Sequence, residues 1–129
     1  MRRLLLGLVL AAAACSGEQG PVAGELSIRV ATPRAGDRAL LFVVTGRQTG
    51  VTAAPGSGYL VFAAAGAGDT TRIVVAAPAG RGIAAGEVAR IAVADVRQAG
   101  SYAVRLADVA AATYAVGDTA GVSLTVVKP

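Results

Sequence analysis

Beyond residue 23 the chain runs in short stretches of alternating apolar and polar residues. Leu26, Ile28 and Val30 alternate with Ser27, Arg29 and Ala31, the period-two signature of a strand with one buried face. The alternation returns at Val122, Leu124 and Val126. The run Ala39-Leu40-Leu41-Phe42-Val43-Val44 is continuously apolar and β-prone, which predicts a strand covered on both faces. Further strands are predicted over 59–63, 71–76, 87–93 and 102–109.

Turn signals separate these runs: Pro33-Arg34-Ala35-Gly36-Asp37, Pro55-Gly56-Ser57-Gly58, Gly66-Ala67-Gly68-Asp69 and Pro78-Ala79-Gly80-Arg81-Gly82. Short strands at this spacing predict an all-β domain over 24–129, an antiparallel β-sandwich of immunoglobulin-like type with about seven or more strands. One stretch supports two structures. Tyr102, Leu106, Val109 and Thr113 also fall on a helical stripe, and Ala110-Ala111-Ala112 favours helix intrinsically. The alternation of Tyr102, Val104 and Leu106 after Gly100 favours a strand; a helix there would make the class α+β.

The segment Gly86-Glu87-Val88-Ala89-Arg90-Ile91-Ala92-Val93 resembles the cohesin-type pattern, in which a glycine opens a strand with inward Ala, Ile and a larger apolar residue. Tyr102-Ala103-Val104-Arg105-Leu106-Ala107-Asp108-Val109, continuing to Gly117, resembles that fold's next strand and its polar loop. Cohesin-like modules and related carbohydrate-binding modules are β-sandwiches that dock partner proteins or polysaccharides. The resemblance therefore implies a recognition module, with a protein partner first and a polysaccharide as the alternative.

Composition changes the picture mainly at the N-terminus. The cationic residues are eleven Arg and one Lys among abundant Ala and Gly, so the alanines are read as codon bias before helix signal. Arg2-Arg3 precedes an apolar stretch from Leu4 to Ala14, too short for a bilayer-spanning helix, which needs roughly 20 residues, and matching a secretory leader. Ala12, Ala13 and Ala14 before Cys15 resemble the lipobox of bacterial lipoproteins, departing from it at Ala12, where Leu is usual. The resemblance implies cleavage after residue 14 and acylation of Cys15. It also implies anchoring through those acyl chains in the bacterial envelope, at the outer membrane by the rule that reads Ser16 after the cysteine. Residues 15–23 are then a small, polar, flexible tether.

Charge and chemistry remove more than they add. The net charge of +4 includes Arg2 and Arg3; from Cys15 onward ten basic residues face eight acidic ones, singly scattered. That excludes the clustered basic footprint of a nucleic-acid surface. There is no histidine, Lys128 adjoins the C-terminal residue, and no phosphate-loop glycine pattern occurs. The five serines lack a histidine partner, and Gly56-Ser57-Gly58 reads as a loop tip. The acids are isolated and expected on the solvated surface. Gly68-Asp69-Thr70 and Gly117-Asp118-Thr119 read as turns, since one acid per loop falls short of a calcium site. The chain is expected to be non-enzymatic, without metal or cofactor. For a binding surface, Tyr114, Asp118 and Tyr59 are the candidates, with Tyr114 the tyrosine expected to be exposed. Phe42 and Phe62 are expected in the core. Arg29, Arg72, Arg90 and Arg105 are expected to point outward as solubilising charges.

Overall fold

The computed structural model describes residues 20–129. The leader and Cys15 lie outside the described residues. Eight strands form two four-stranded antiparallel sheets packed face to face, the β-sandwich that the alternation predicts. In chain order they are β1 (Gly24–Ala31), β2 (Ala39–Thr45), β3 (Gly50–Ala53), β4 (Leu60–Ala65), β5 (Thr70–Ala76), β6 (Gly86–Val93), β7 (Ala103–Ala110) and β8 (Ser123–Val127). One sheet has the order β3-β6-β1-β8 and the other β4-β5-β2-β7. Only β4 and β5 are joined as a hairpin within one sheet; every other connection crosses between the sheets.

The core is made by alternate residues of the facing strands. Leu26, Ile28, Val30, Ile91 and Val93 from the first sheet meet Leu40, Phe42, Val44, Ile73, Val75 and Val109 from the second, all buried. The ambiguous stretch over 102–113 settles as strand. β7 pairs with β2 along its length, and its inward Val104 and Leu106 pack on the core, which a helix there could not do without removing a strand from the sheet. The short 3₁₀ helix lies just before it, at Val96–Ser101.

The N-terminal end is tied down through that helix. Asp95 caps it by accepting from the Arg97 N–H at 3.1 Å, and also accepts from the Val22 N–H at 3.3 Å. The Arg97 guanidinium bonds Asp95 and reaches the Gly20 carbonyl at 3.0 Å. The hydrogen bonds from Arg97 hold the Asp95 carboxyl at about 2, below its ordinary 3.8, against a smaller opposing effect of burial. The last residues of the expected flexible tether, Gly20 to Val22, are therefore fixed to the domain. Gly46 (φ 131°) is required nearby, because the Tyr102 ring packs where a Cβ would stand, with the Tyr102 hydroxyl donating to the Arg47 carbonyl.

Two expectations about burial fail. Phe62 points outward from β4 and is 61% exposed. Asp37 and Glu87 are not solvated surface acids. Asp37 is buried against the Arg34 guanidinium at 3.3 Å, and Glu87 is half-buried between Ser27 and Arg90.

Candidate functional site

The two sheets present outer faces of opposite character. On the first sheet, the outward residues of β1, β6, β3 and β8 include Ser27, Arg29, Arg90, Thr52 and Thr125. A shift of register between Ile28 and Arg29 puts Glu87 across from Arg29. The Glu87 carboxylate accepts from the Ser27 hydroxyl and from Arg90 Nε at 3.0 Å. Burial pushes its pKa up, but those hydrogen bonds and the charges of Arg90 and Arg29 outweigh it and leave the group below its ordinary value. This face satisfies its own polar groups.

The second sheet's outer face is apolar. Reading across β4, β5, β2 and β7, one row is Leu60, Ala76, Ala39, Ala110 and the next is Phe62, Val74, Leu41, Asp108. A third row, Ala64, Arg72, Val43, Arg105, begins the charged border. Strands about 4.8 Å apart and rows about 6.8 Å apart give the two apolar rows a span of about 260 Å². β2 was expected to be covered on both faces. Phe42 is fully buried on the inner side, while Leu41 and Val43 are only half-buried on the outer side, because no part of the described chain lies over them.

One loop rises beside the platform. After β7 the chain turns tightly, with the Tyr114 N–H bonding the Ala111 carbonyl at 2.8 Å and the Gly117 N–H bonding Val109 at 2.7 Å. Val116 forms a bridge to Ala110, extending the sheet edge. Tyr114 sits at φ 65°, the left-handed region that costs a non-glycine residue roughly 1–2 kcal/mol. The residue is 69% exposed, with the Arg38 guanidinium 5.7 Å from its ring centroid. Tyr114 and Val116, with Leu41, Val74, Asp108 and Ala39, line a shallow hollow of about 160 Å³. A neighbouring hollow lies between Phe62, Ala64 and Arg72 and shares Leu41 and Val74 with it.

The sequence candidates divide accordingly. Tyr114 stands on the platform's rim. Asp118 lies further along the same loop, where its carboxylate accepts from the Ala120 N–H at 2.8 Å and its carbonyl from Arg34. Tyr59 is half-buried against the core, its hydroxyl accepting from the Ala84 N–H at 3.2 Å, and faces away from the platform. Among the described residues, no three His, Cys, Asp or Glu side chains gather as a metal site would require. The platform residues Leu41, Phe62 and Val74 were missed. The available signal was the unbroken apolar run in β2, which implied a second covering layer.

The chain matches no family model, no curated protein and no solved structure. The site therefore rests on its own geometry.

Proposed function

We propose that this is a lipid-anchored, non-enzymatic recognition module of the bacterial envelope. Its outer β4-β5-β2-β7 face docks a partner protein. The observation that carries the reading is the uncovered apolar platform with Phe62, Leu41, Val74 and the strained Tyr114 presented together. The largest exposed apolar patch of a soluble protein, rimmed by polar residues, is often its functional surface. The border carries Arg38, Arg72 and Arg105 against Asp108, so the partner has an apolar patch edged with carboxylates. The lipobox-like Cys15 supplies the anchor, since two acyl chains suffice for stable attachment where one does not. The cohesin-like segments agree with a docking role.

Two exposed aromatics on one face also favour a second reading, a polysaccharide stacked on Phe62 and Tyr114. The platform between them is Leu, Val and Ala and offers few groups to bond sugar hydroxyls, so protein comes first.

The test is capture from envelope extract by the full chain and by its Val74→Glu variant, with proteins and glycans both identified. A saturable protein partner lost with the variant supports docking. A glycan lost with it moves the assignment to the second reading. A protein retained equally by both chains contradicts the platform.

A further inference from the structure

The platform ends at β4, and β4 is an edge strand without protection. Its sequence, Leu60-Val61-Phe62-Ala63-Ala64-Ala65, contains no charge, no proline and no bulge, the devices by which edges avoid further pairing. Even its inward-pointing Ala63 and Ala65 are exposed, because the short β3 leaves this end of the strand overhanging. The polarity of the free edge follows from the hairpin. The Gly66 N–H bonds the Thr70 carbonyl at 2.9 Å, and in an antiparallel ladder hydrogen-bonded pairs recur every second residue. Leu60, Phe62 and Ala64 thus bond toward β5, and Val61, Ala63 and Ala65 turn their N–H and C=O groups to the open side.

We propose that β4 pairs antiparallel with β4 of a second copy, with the two-fold axis at Ala63, joining two sandwiches through one continuous eight-stranded sheet. Three features of the edge select a second copy over an unrelated peptide. The register that satisfies every free group places Ala63 opposite Ala63 and Val61 opposite Ala65, with about six ladder hydrogen bonds. On the outer face that register sets each Phe62 against the other copy's Ala64, large against small, with Arg72 beside that Ala64 and able to reach the ring. At the ends, Arg81, which bonds the Ser57 carbonyl at 3.1 Å, meets the other copy's Gly68–Asp69 turn, where the Asp69 carboxylate, 3.8 Å from its own Arg47 Nε, is still exposed to a second cation. The strand is complementary to itself.

The pairing does not depend on the docking reading, but it bears on it. Two platforms side by side make about 520 Å², nearer than one alone to the roughly 800 Å² that one partner contributes to a standard protein interface. The edge contact itself is small, so the dimer is weak in free solution, and confinement on a membrane raises its occupancy. The two-fold axis is normal to the sheet, so the N-terminal segments leave from opposite ends. Both reach one bilayer when the strands run parallel to its surface.

Cysteine trapping in the full chain with Cys15→Ser tests the register. Opposed residues lie about 5.5 Å apart at Ala63 and about 4.5 Å apart between Phe62 and Ala64, both within disulfide range. Under mild oxidation, Ala63→Cys should form a covalent dimer well above an exposed Thr52→Cys control on the other sheet. Phe62→Cys alone should stay at the control level, and a mixture of Phe62→Cys and Ala64→Cys chains should cross-link. Without cysteines, Ala63→Lys should weaken self-association in sedimentation by roughly tenfold or more, since it opposes like charges without touching the β5 ladder. Trapping of Ala63→Cys no greater than the control overturns the proposal. So does efficient trapping of Phe62→Cys alone, or self-association indifferent to Ala63→Lys. Loss of partner capture in Val74→Glu with trapping at Ala63 intact separates the two readings.

Discussion

The two outer faces of this sandwich are built from the same kind of strand and end in opposite states. On the β3-β6-β1-β8 face, each buried polar atom has a partner: Ser27 is nearly inaccessible, its hydroxyl donating to the Glu87 carboxylate, which Arg90 also bonds. On the β4-β5-β2-β7 face, Leu41, Val43, Val74 and Phe62 meet no covering layer from the described chain. The first face is finished by its own side chains. The second is left uncovered by the described chain, and the proposed docking role rests on that difference.

The two phenylalanines separate the two environments most sharply, one lying in each. Phe42, fully buried, should cost about 3–5 kcal/mol when changed to Ala, through lost transfer energy and a cavity. Phe62→Ala should change stability by no more than about 0.5 kcal/mol while weakening the surface's interactions. Denaturant melts of the two variants measure the gap, and equal losses would mean the second face is covered within the chain. The next effect lies on the polar face. Glu87→Ala leaves the buried Ser27 hydroxyl and the Arg90 guanidinium without their acceptor and should cost about 1–2 kcal/mol, whereas Val43→Thr on the apolar face should cost less.

A pH effect follows at the N-terminal end. The Asp95 carboxyl is lowered from 3.8 to about 2, so its contribution to stability is complete above the ordinary value and is lost as pH falls through the lowered one. Melting temperatures taken between about pH 4 and about pH 2 should fall less steeply for Asp95→Asn than for the parent chain. The smallest effect belongs to Tyr114. Asn tolerates the left-handed backbone better, so Tyr114→Asn should leave stability unchanged or raise it by up to about 1 kcal/mol, while removing the exposed ring. A marked loss of stability would show that the ring holds the loop rather than serving its surroundings.

Most of the sandwich was legible in the sequence because alternation marks which face a strand buries. β1 and β8 carry that alternation, and Leu26, Ile28, Leu124 and Val126 turn inward as it predicts. β3 was not legible, since Gly50-Val51-Thr52-Ala53 is too short to show a period. The local pattern predicts a strand over 59–63, one residue early at its start and two short at its end, with Phe62 inside. Leu60 to Ala65 contains no polar residue to betray its outer side, so its facing is set by the Gly66–Thr70 turn and the register with β5, which no local pattern encodes. The continuous run of β2 was legible in a further sense. It predicted two covered faces, and the described fold covers one. Tyr114 was picked out for its exposure, but its strained backbone and its neighbours Leu41 and Val74 depend on strands far apart in sequence.

A β4-β5-β2-β7 face that docks a partner is covered when the protein is at work. Hydroxyl-radical footprinting in intact envelopes, compared with the purified chain, tests it without knowing what the covering molecule is. The two exposed aromatics, Phe62 and Tyr114, are natural reporters there, and the half-buried Tyr59, turned away from that face, serves as the internal reference. Oxidation of Phe62 and Tyr114 should drop in the envelope while that of Tyr59 does not. Equal oxidation of Phe62 and Tyr114 in both preparations would show the face bare in the cell and contradict the docking role.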